Sequence, residues 1–198
     1  MFRSEDSLIS FDVVSLFTNI PLTETIDIVS DYVYDESNKK NRPPFKKLIF
    51  KRLLVLATGG MFAYNGKLYQ QTDGVTMGSP LGPSLANFFL AHIESKLWSR
   101  EENFHPRLYV RYVDDLFCVF SKDVDYRKFL DVLNSQHVNL RFTVEVGETH
   151  LAFLDTQVSI QDANFETWVF RKKTNTNVLL NFNAVCPIQW KVGLIKCL

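Results

Sequence analysis

Asp114 and Asp115 stand side by side between two strongly β-forming runs, 108–113 and 116–120. Apolar, aromatic and β-branched residues on both sides predict a hairpin with the aspartates at its tight turn. Adjacent carboxylates repel one another and lose hydration on burial, so a fold holds them together most easily around a cation. Hard divalent ions are bound through one or two carboxylates plus substrate phosphates, which suits nucleotidyl transfer. The alternative is an acidic hairpin turn, since Asp is common in turns. A two-metal site draws carboxylates from separate parts of a chain, around ions roughly 3.5–4 Å apart. Asp12 is the only acid within the first apolar run, 8–14, and is the natural second arm. It stands at a strand end, faces solvent, or belongs to a site.

These acids need elements to hold them. The run 8–14 predicts a buried strand that ends where Asn19 and Pro21 break the chain. Residues 22–36 carry Leu22, Ile26, Val29 and Val33 at helical spacing, followed by a polar, Pro-containing loop at 38–44. A second helix is predicted over 45–57, with Gly59-Gly60 as its stop. Asn65-Gly66 joins two β-prone runs, 61–64 and 67–71, and a type I′ turn needs positive φ at both central residues. The loop 73–80 feeds a long helix, 81–98, with Leu85, Phe88, Phe89, Ile93 and Leu97 in its stripe. A helix at 124–134, a strand at 140–146 and strands at 151–160 and 165–170 complete the pattern. Strand, two helices, hairpin, helix, hairpin, helix and strands together predict an α+β chain rather than an alternating α/β one.

A length of 198 residues suits one domain, or one domain plus a fragment, with a proper core, and 46% hydrophobic content with 17 Phe makes it globular. No apolar run reaches the length of a membrane span, and the N-terminus lacks the layout of a signal peptide. Cys118, Cys186 and Cys197 form neither a disulfide framework nor a zinc pattern, which favours a reducing compartment. Net charge is zero, which weighs against nucleic-acid binding, because proteins that bind nucleic acid usually carry a basic face. Positive charge is concentrated at Lys39-Lys40-Asn41-Arg42, Lys46-Lys47 and Lys51-Arg52, and again at Arg171-Lys172-Lys173. Each cluster is a solvated face or a set of phosphate contacts.

Three segments resemble motifs A, B and C of reverse transcriptases, in that order: Asp12-Val13-Val14-Ser15-Leu16-Phe17-Thr18-Asn19-Ile20-Pro21, Met77-Gly78-Ser79-Pro80-Leu81-Gly82-Pro83 and Tyr112-Val113-Asp114-Asp115. Motif A, with Phe142-Thr143-Val144-Glu145 and Phe153-Leu154-Asp155, looks most like the enzymes of Penelope-like retroelements. The resemblance runs from about residue 8 to about 192. It implies a palm with a small antiparallel sheet and helices packed on one face. Asp12 and Asp114 would be the main metal ligands and Asp115 a weaker third acid, around Mg2+ with Mn2+ as substitute. Those ions would activate the primer 3′-hydroxyl and neutralise the departing pyrophosphate. Phe17 matches the bulky gate that excludes a ribose 2′-hydroxyl, or is core packing. Met77, Gly78, Ser79 and Pro80 would lie under the nucleotide, with Pro80 in the first helical turn; many relatives have Gln where Met77 stands. Asn87 on the same helix faces the site or solvent. Phe153-Leu154-Asp155 belongs to the region that grips the primer, as packing plus a turn. Tyr112, Arg171, Lys172 and Lys173 would contact nucleic acid.

By the same resemblance, residues 1–160 are a partial palm and 161–198 its end with the start of a thumb. Fingers and thumb are largely missing, and surface they cover elsewhere is expected to be exposed. The implied partners are an RNA or DNA template with its primer, deoxynucleoside triphosphates and those missing segments, with no membrane. Nuclear action follows only from the family. Two further readings stand beside a retroelement RNA-directed DNA polymerase. One is a catalytically silent remnant that keeps the palm as a binding or structural domain. The other is an unrelated magnesium-dependent nucleotidyl transferase or nuclease on a similar palm.

Overall fold

The computed structural model describes residues 3, 5–99, 104–172, 174–175, 180–181 and 183–197. In chain order, β1 (Ser7–Val13) leads through a short α1 (Leu16–Asn19) into α2 (Leu22–Tyr34), a 3-10 turn at Glu36–Asn41 and α3 (Lys47–Thr58). The hairpin of β2 (Met61–Tyr64) and β3 (Lys67–Gln70) precedes α4 (Gly82–Trp98). Next come the hairpin of β4 (Leu108–Tyr112) and β5 (Asp115–Phe120), then α5 (Tyr126–Ser135) and β6 (Phe142–Gly147). A meander of β7 (His150–Phe153), β8 (Thr156–Gln161) and β9 (Asn164–Val169) follows, and then α6 (Ile188–Cys197).

Period-two alternation builds the centre of the molecule. Four strands in the order β4-β5-β1-β6 form a wholly antiparallel sheet with β1 inside it. Ile9, Phe11 and Val13 point to one face, where Leu116, Cys118 and Phe120 of β5 join them. Apolar stripes cover that face: Val29 of α2, Leu85, Phe89, Ile93 and Leu97 of α4, and Phe129 and Leu133 of α5. Burial also pushes the Cys118 thiol well above its usual range, so it behaves as a small core hydrophobe. On the opposite face Leu8, Phe117 and Val119 pack on Leu151 and Val158 of the β7-β8-β9 sheet. The architecture is the expected α+β one, with α2, α4 and α5 on one side of the central sheet and, among the described residues, three separate antiparallel sheets.

Several local expectations are corrected. Residues 151–160 form a hairpin, not one strand, because Leu154 takes φ 56° and the chain reverses there, at the turn that the family resemblance implied for Phe153-Leu154-Asp155. Packing drives that reversal, since it sets Phe153 against Phe117 with ring centroids 5.3 Å apart. The loop expected at 38–44 is partly the 3-10 turn, opened by Asp35, whose carboxylate accepts from the Ser37 N–H at 2.9 Å. Pro80 lies before α4, and Pro83 takes the place in its first turn. Asn65 and Gly66 do have positive φ, 49° and 72°, as a type I′ turn requires. Leu53 and Leu56 on α3 and Met61, Tyr64 and Leu68 on the β2–β3 hairpin are exposed. Among the described residues no helix is long and apolar enough to cross a membrane.

Candidate active site

The register of the central sheet brings the acids together. Asp12 on β1 is the direct partner of Asp115 on β5. Both sit on the face away from the helices, because the odd positions of β1 and the even positions of β5 are spent on the core. Asp114 occupies the β4–β5 turn with Val113, while Asp115 begins β5 rather than sharing the turn. The Asp114 carbonyl accepts from the Val13 N–H at 3.2 Å, which ties the turn to the end of β1. Burial, and then the Asp114 charge, holds the Asp12 carboxyl above its ordinary value. Burial, then Asp114 and Asp12, does the same to Asp115, with Lys172 pulling the other way. Three carboxylates and one ammonium therefore share an electrostatic neighbourhood.

Asp12 and Asp115 line a cleft of about 310 Å3 with Ser10, Thr143, Glu145 and Leu154. Among the described residues no three His, Cys, Asp or Glu side chains are gathered into a ready-made metal cluster. A Mg2+ ion needs fewer, because it keeps several waters and binds through one or two carboxylates plus substrate phosphate. Facing carboxylates whose proton affinity is raised by burial and then by the Asp114 charge are a donor set that such an ion fits. A larger cleft, about 630 Å3, lies between α2 and α4 beside Tyr32 and Phe88. Its acids are already engaged, Asp31 with Lys47 and Asp35 with Ser37, so volume does not make it the site.

The second arm of the site is the segment entering α4. The Val75 N–H donates to the Phe17 carbonyl at 2.6 Å, and a Cβ built on Gly82 would stand 3.5 Å from both the Phe17 ring and Val75. Phe17 thus lies between the end of β1 and the start of α4. Asp73 caps α2 by accepting from the Leu22 N–H at 3.0 Å, and also from the Gly74 N–H at 2.8 Å. Met77, Gly78 and Pro80 are exposed and Ser79 half-buried, with the Ser79 N–H donating to the Thr76 carbonyl at 3.0 Å. Gly78 has φ 85° and open space where a Cβ would stand. Gly74 has φ 74°, and its Cβ would come within 2.7 Å of the Thr18 carbonyl oxygen. Gly74→Ala is expected to cost roughly 1–3 kcal/mol, combining left-handed backbone and collision. Urea denaturation reads it directly. An unchanged midpoint would mean that the 73–80 loop is not packed against 16–18.

The family model of reverse transcriptase (RNA-dependent DNA polymerase) matches residues 3–174. The chain belongs to that family. No curated protein sequence matches it. Among solved structures, telomerase from Candida albicans in complex with a fragment of telomeric RNA is similar, with a TM-score of 0.61 at 13% identity over 82% of this chain and 31% of that one. Apo telomerase from Candida tropicalis, truncated from its C-terminal domain, gives 0.58 at 14% identity, over 81% of this chain and 35% of that one. The BmCPV RNA-dependent RNA polymerase at its elongation state gives 0.54 at 16%, over 82% of this chain and 16% of that one. At such identities the likeness is one of fold, that of a polymerase palm. The chain spans about a third of the telomerases' length.

The nucleic-acid candidates are unevenly placed. Tyr112 is exposed on β4, Arg171 and Lys172 are exposed beyond β9, and Lys173 lies outside the described residues. Much of the first basic stretch is engaged elsewhere: Lys51 pairs with Asp27 at 2.6 Å, Lys47 with Asp31 and Arg42 with Glu36 at 3.2 Å. Asp155 lies with Leu154 in the β7–β8 turn, where its carbonyl accepts from the Phe170 N–H at 2.8 Å.

Glu94 and Tyr109 carry no sequence-level expectation, yet they anchor motif C from below. Arg111 donates to both Glu94 carboxylate oxygens, Nε at 2.6 Å and Nη2 at 3.1 Å, and through Nη1 to Asn87 Oδ1 at 2.8 Å. The Tyr109 hydroxyl donates to Glu94 at 2.6 Å. Asn87 therefore engages Arg111 across the helix face, not the acid cleft. The signal was legible in part, because Asn87 and Glu94 are seven residues apart and share one face of α4.

Proposed function

We propose that this chain is the palm of a retroelement RNA-directed DNA polymerase, most like those of Penelope-like elements, and adds deoxynucleotides to a primer 3′-hydroxyl. One observation carries the reading. Asp12 of motif A faces Asp115 of motif C across adjacent strands, with Asp114 at the turn beside them. Asp12 and Asp114 are the main ligands and Asp115 the third acid for Mg2+, with Mn2+ as substitute. Such ions, when bound, supply charge neutralisation at the transferring phosphoryl group and an acidified primer hydroxyl.

The chain's own residues do the positioning. β1 and the β4–β5 hairpin present the carboxylates on one open sheet face, so primer end and triphosphate converge there. Gly78 leaves its backbone open to close approach by the base and sugar, with Met77, Ser79 and Pro80 beside it. Lys172, near enough to oppose the charge on Asp115, is placed to meet phosphate, with Arg171 and Lys173 next to it in sequence. Phe153 and Leu154 wall the cleft on the side where the primer strand would lie, and Tyr112 stands exposed at the hairpin's edge. The partners are a primed RNA or DNA template, deoxynucleoside triphosphates and the fingers and thumb of the polymerase; the setting is the nucleus.

Primer extension on an RNA template, by the polypeptide as encoded in the cell, tests the reading. Template-directed addition supports it. Binding of primer–template without extension would make the chain a silent palm. A second expectation concerns Phe17, whose ring closes the space between motif A and α4. Phe17→Ala should raise ribonucleotide relative to deoxynucleotide incorporation by about tenfold or more, the scale of losing one steric exclusion worth 1–3 kcal/mol. Unchanged sugar selectivity, with lowered stability, would leave Phe17 as core packing.

A further inference from the structure

We infer that Arg111, gripped by Glu94 and Asn87 of α4, is a positioning residue that sets where the motif C carboxylates stand. The inference rests on the metal-binding role proposed for those carboxylates. In the β4–β5 turn, Val113 has φ 56°, a left-handed conformation that a β-branched residue adopts only where its surroundings impose it. Two contacts hold the turn in place. On one side the Val13 N–H donates to the Asp114 carbonyl at 3.2 Å. On the other, Arg111 Nη1 donates to the Val113 carbonyl at 3.1 Å.

The same guanidinium is clamped by both oxygens of Glu94 and by Asn87, in a pocket where the Arg and Glu side chains are 13% and 18% exposed. A bidentate Arg–carboxylate pair fixes orientation as well as charge, which Lys cannot reproduce. Burial disfavours the charge on Arg111, but the Glu94 contact more than offsets it and strengthens the cation. This network lies on the helix side of the sheet, whereas Asp12 and Asp115 face the other side. Glu94 therefore acts through the backbone of the turn and not as a ligand. Because α4 begins just after the Met77–Pro80 turn and carries Glu94 further along, it joins nucleotide floor and metal carboxylates into one rigid unit.

The test uses the full chain with Arg111→Lys, Glu94→Gln and Asn87→Ala, and Asp114→Asn as reference. Mn2+ affinity is measured by electron paramagnetic resonance well below the unfolding temperature, and backbone amide exchange is followed at 113–115. Arg111→Lys and Glu94→Gln should weaken Mn2+ binding about tenfold or more, the scale for residues that orient ligands. Exchange at 113–115 should quicken while that of β8 stays as in the wild type. A merely structural network would lower the melting temperature and leave both readouts unchanged, which overturns the inference. If Arg111→Lys does not fold, Asn87→Ala, at an exposed position, decides between the two outcomes. Should Asp114→Asn leave Mn2+ affinity intact, the metal-site reading itself fails, and exchange at the turn alone decides whether Arg111 positions it.

Discussion

Asp12→Asn is expected to make the metal-free chain more stable at neutral pH while abolishing nucleotide transfer. The stabilising half follows from the electrostatics of the cleft. Burial and the neighbouring Asp114 raise the Asp12 carboxyl above its ordinary value of 3.8. In the folded state the group thus keeps its proton at pH values where the unfolded chain has lost it. Stability falls with rising pH wherever the native state binds more protons, so this carboxylate destabilises the fold above its raised value. The stability gained by Asn should be present at pH 7 and shrink as pH falls through that value towards 3.8. Thermal melts at stepped pH measure the difference, and a gain independent of pH would mean that charge repulsion is not its source. Added Mn2+ should reverse the order, because a ligand that binds only the folded wild type stabilises only the wild type. The catalytic half is larger. On the proposed reading of Asp12 as a metal ligand, its loss removes several kcal/mol of charge stabilisation at the transferring phosphoryl, a fall of about a thousandfold or more in rate. Retained activity in Asp12→Asn would remove motif A from the chemistry.

The distribution of what could be read in advance has a physical pattern. Signals that are local in the chain survived. Asn65-Gly66 turned as its type demands, the stripe of Leu85, Phe89, Ile93 and Leu97 became the buried face of α4, and β1 formed around Ile9 and Phe11. Signals that depend on distant partners did not. Nothing within 8–14 says that β1 lies between β5 and β6, and that order is what places Asp12 opposite Asp115. The turn at 153–155 came from the family resemblance and not from propensity, since a leucine such as Leu154 at φ 56° is left-handed only when packing such as Phe153 on Phe117 requires it. Pro80 and Pro83 are equally good helix openers in sequence, and only the turn 76–79, closed by Ser79 on Thr76, chooses between them.

The polar residues divide the same way. Motif order identified Asp12, Asp114 and Asp115 as a candidate group, because carboxylates in apolar, strand-forming runs are costly and need a reason. Glu94 gave no such sign, since an acid on a long helix is ordinarily a solvated one. Its burial is a product of Tyr109 and Arg111, alternate residues of β4 that face α4. The basic stretch 39–52 misled in the opposite direction. Lys47 and Lys51 lie on the turn-spaced face of α3 that meets Asp31 and Asp27 of α2, so their charge is spent in ion pairs between two helices. Charge in sequence marked potential, and tertiary pairing decided its use.

Phe11→Ala should be the most destabilising single change near the site, and it tests how the core carries the acids. Phe11 is 1% exposed and packs on Phe129 and Phe120, with ring centroids 5.7 and 6.3 Å away. Truncating a buried Phe removes its transfer energy and leaves a cavity, costing about 3–5 kcal/mol. That is a large part of the roughly 5–15 kcal/mol that holds a domain folded. The neighbouring Val14→Ala, at a position 39% exposed, should change stability by no more than about 0.5 kcal/mol. Urea midpoints for the two variants separate the cases. The contrast matters because Phe11 and Asp12 are adjacent but face opposite sides of β1, one into the core and one into the cleft. The Phe11 ring pins the central strand against α5, and the register so fixed sets Asp12 opposite Asp115. Mn2+ affinity in the folded fraction of Phe11→Ala should therefore fall as well, since a loosened β1 no longer holds its carboxylate in one place. A large loss of stability with unchanged affinity would show that the hairpin and β6 alone keep β1 in register.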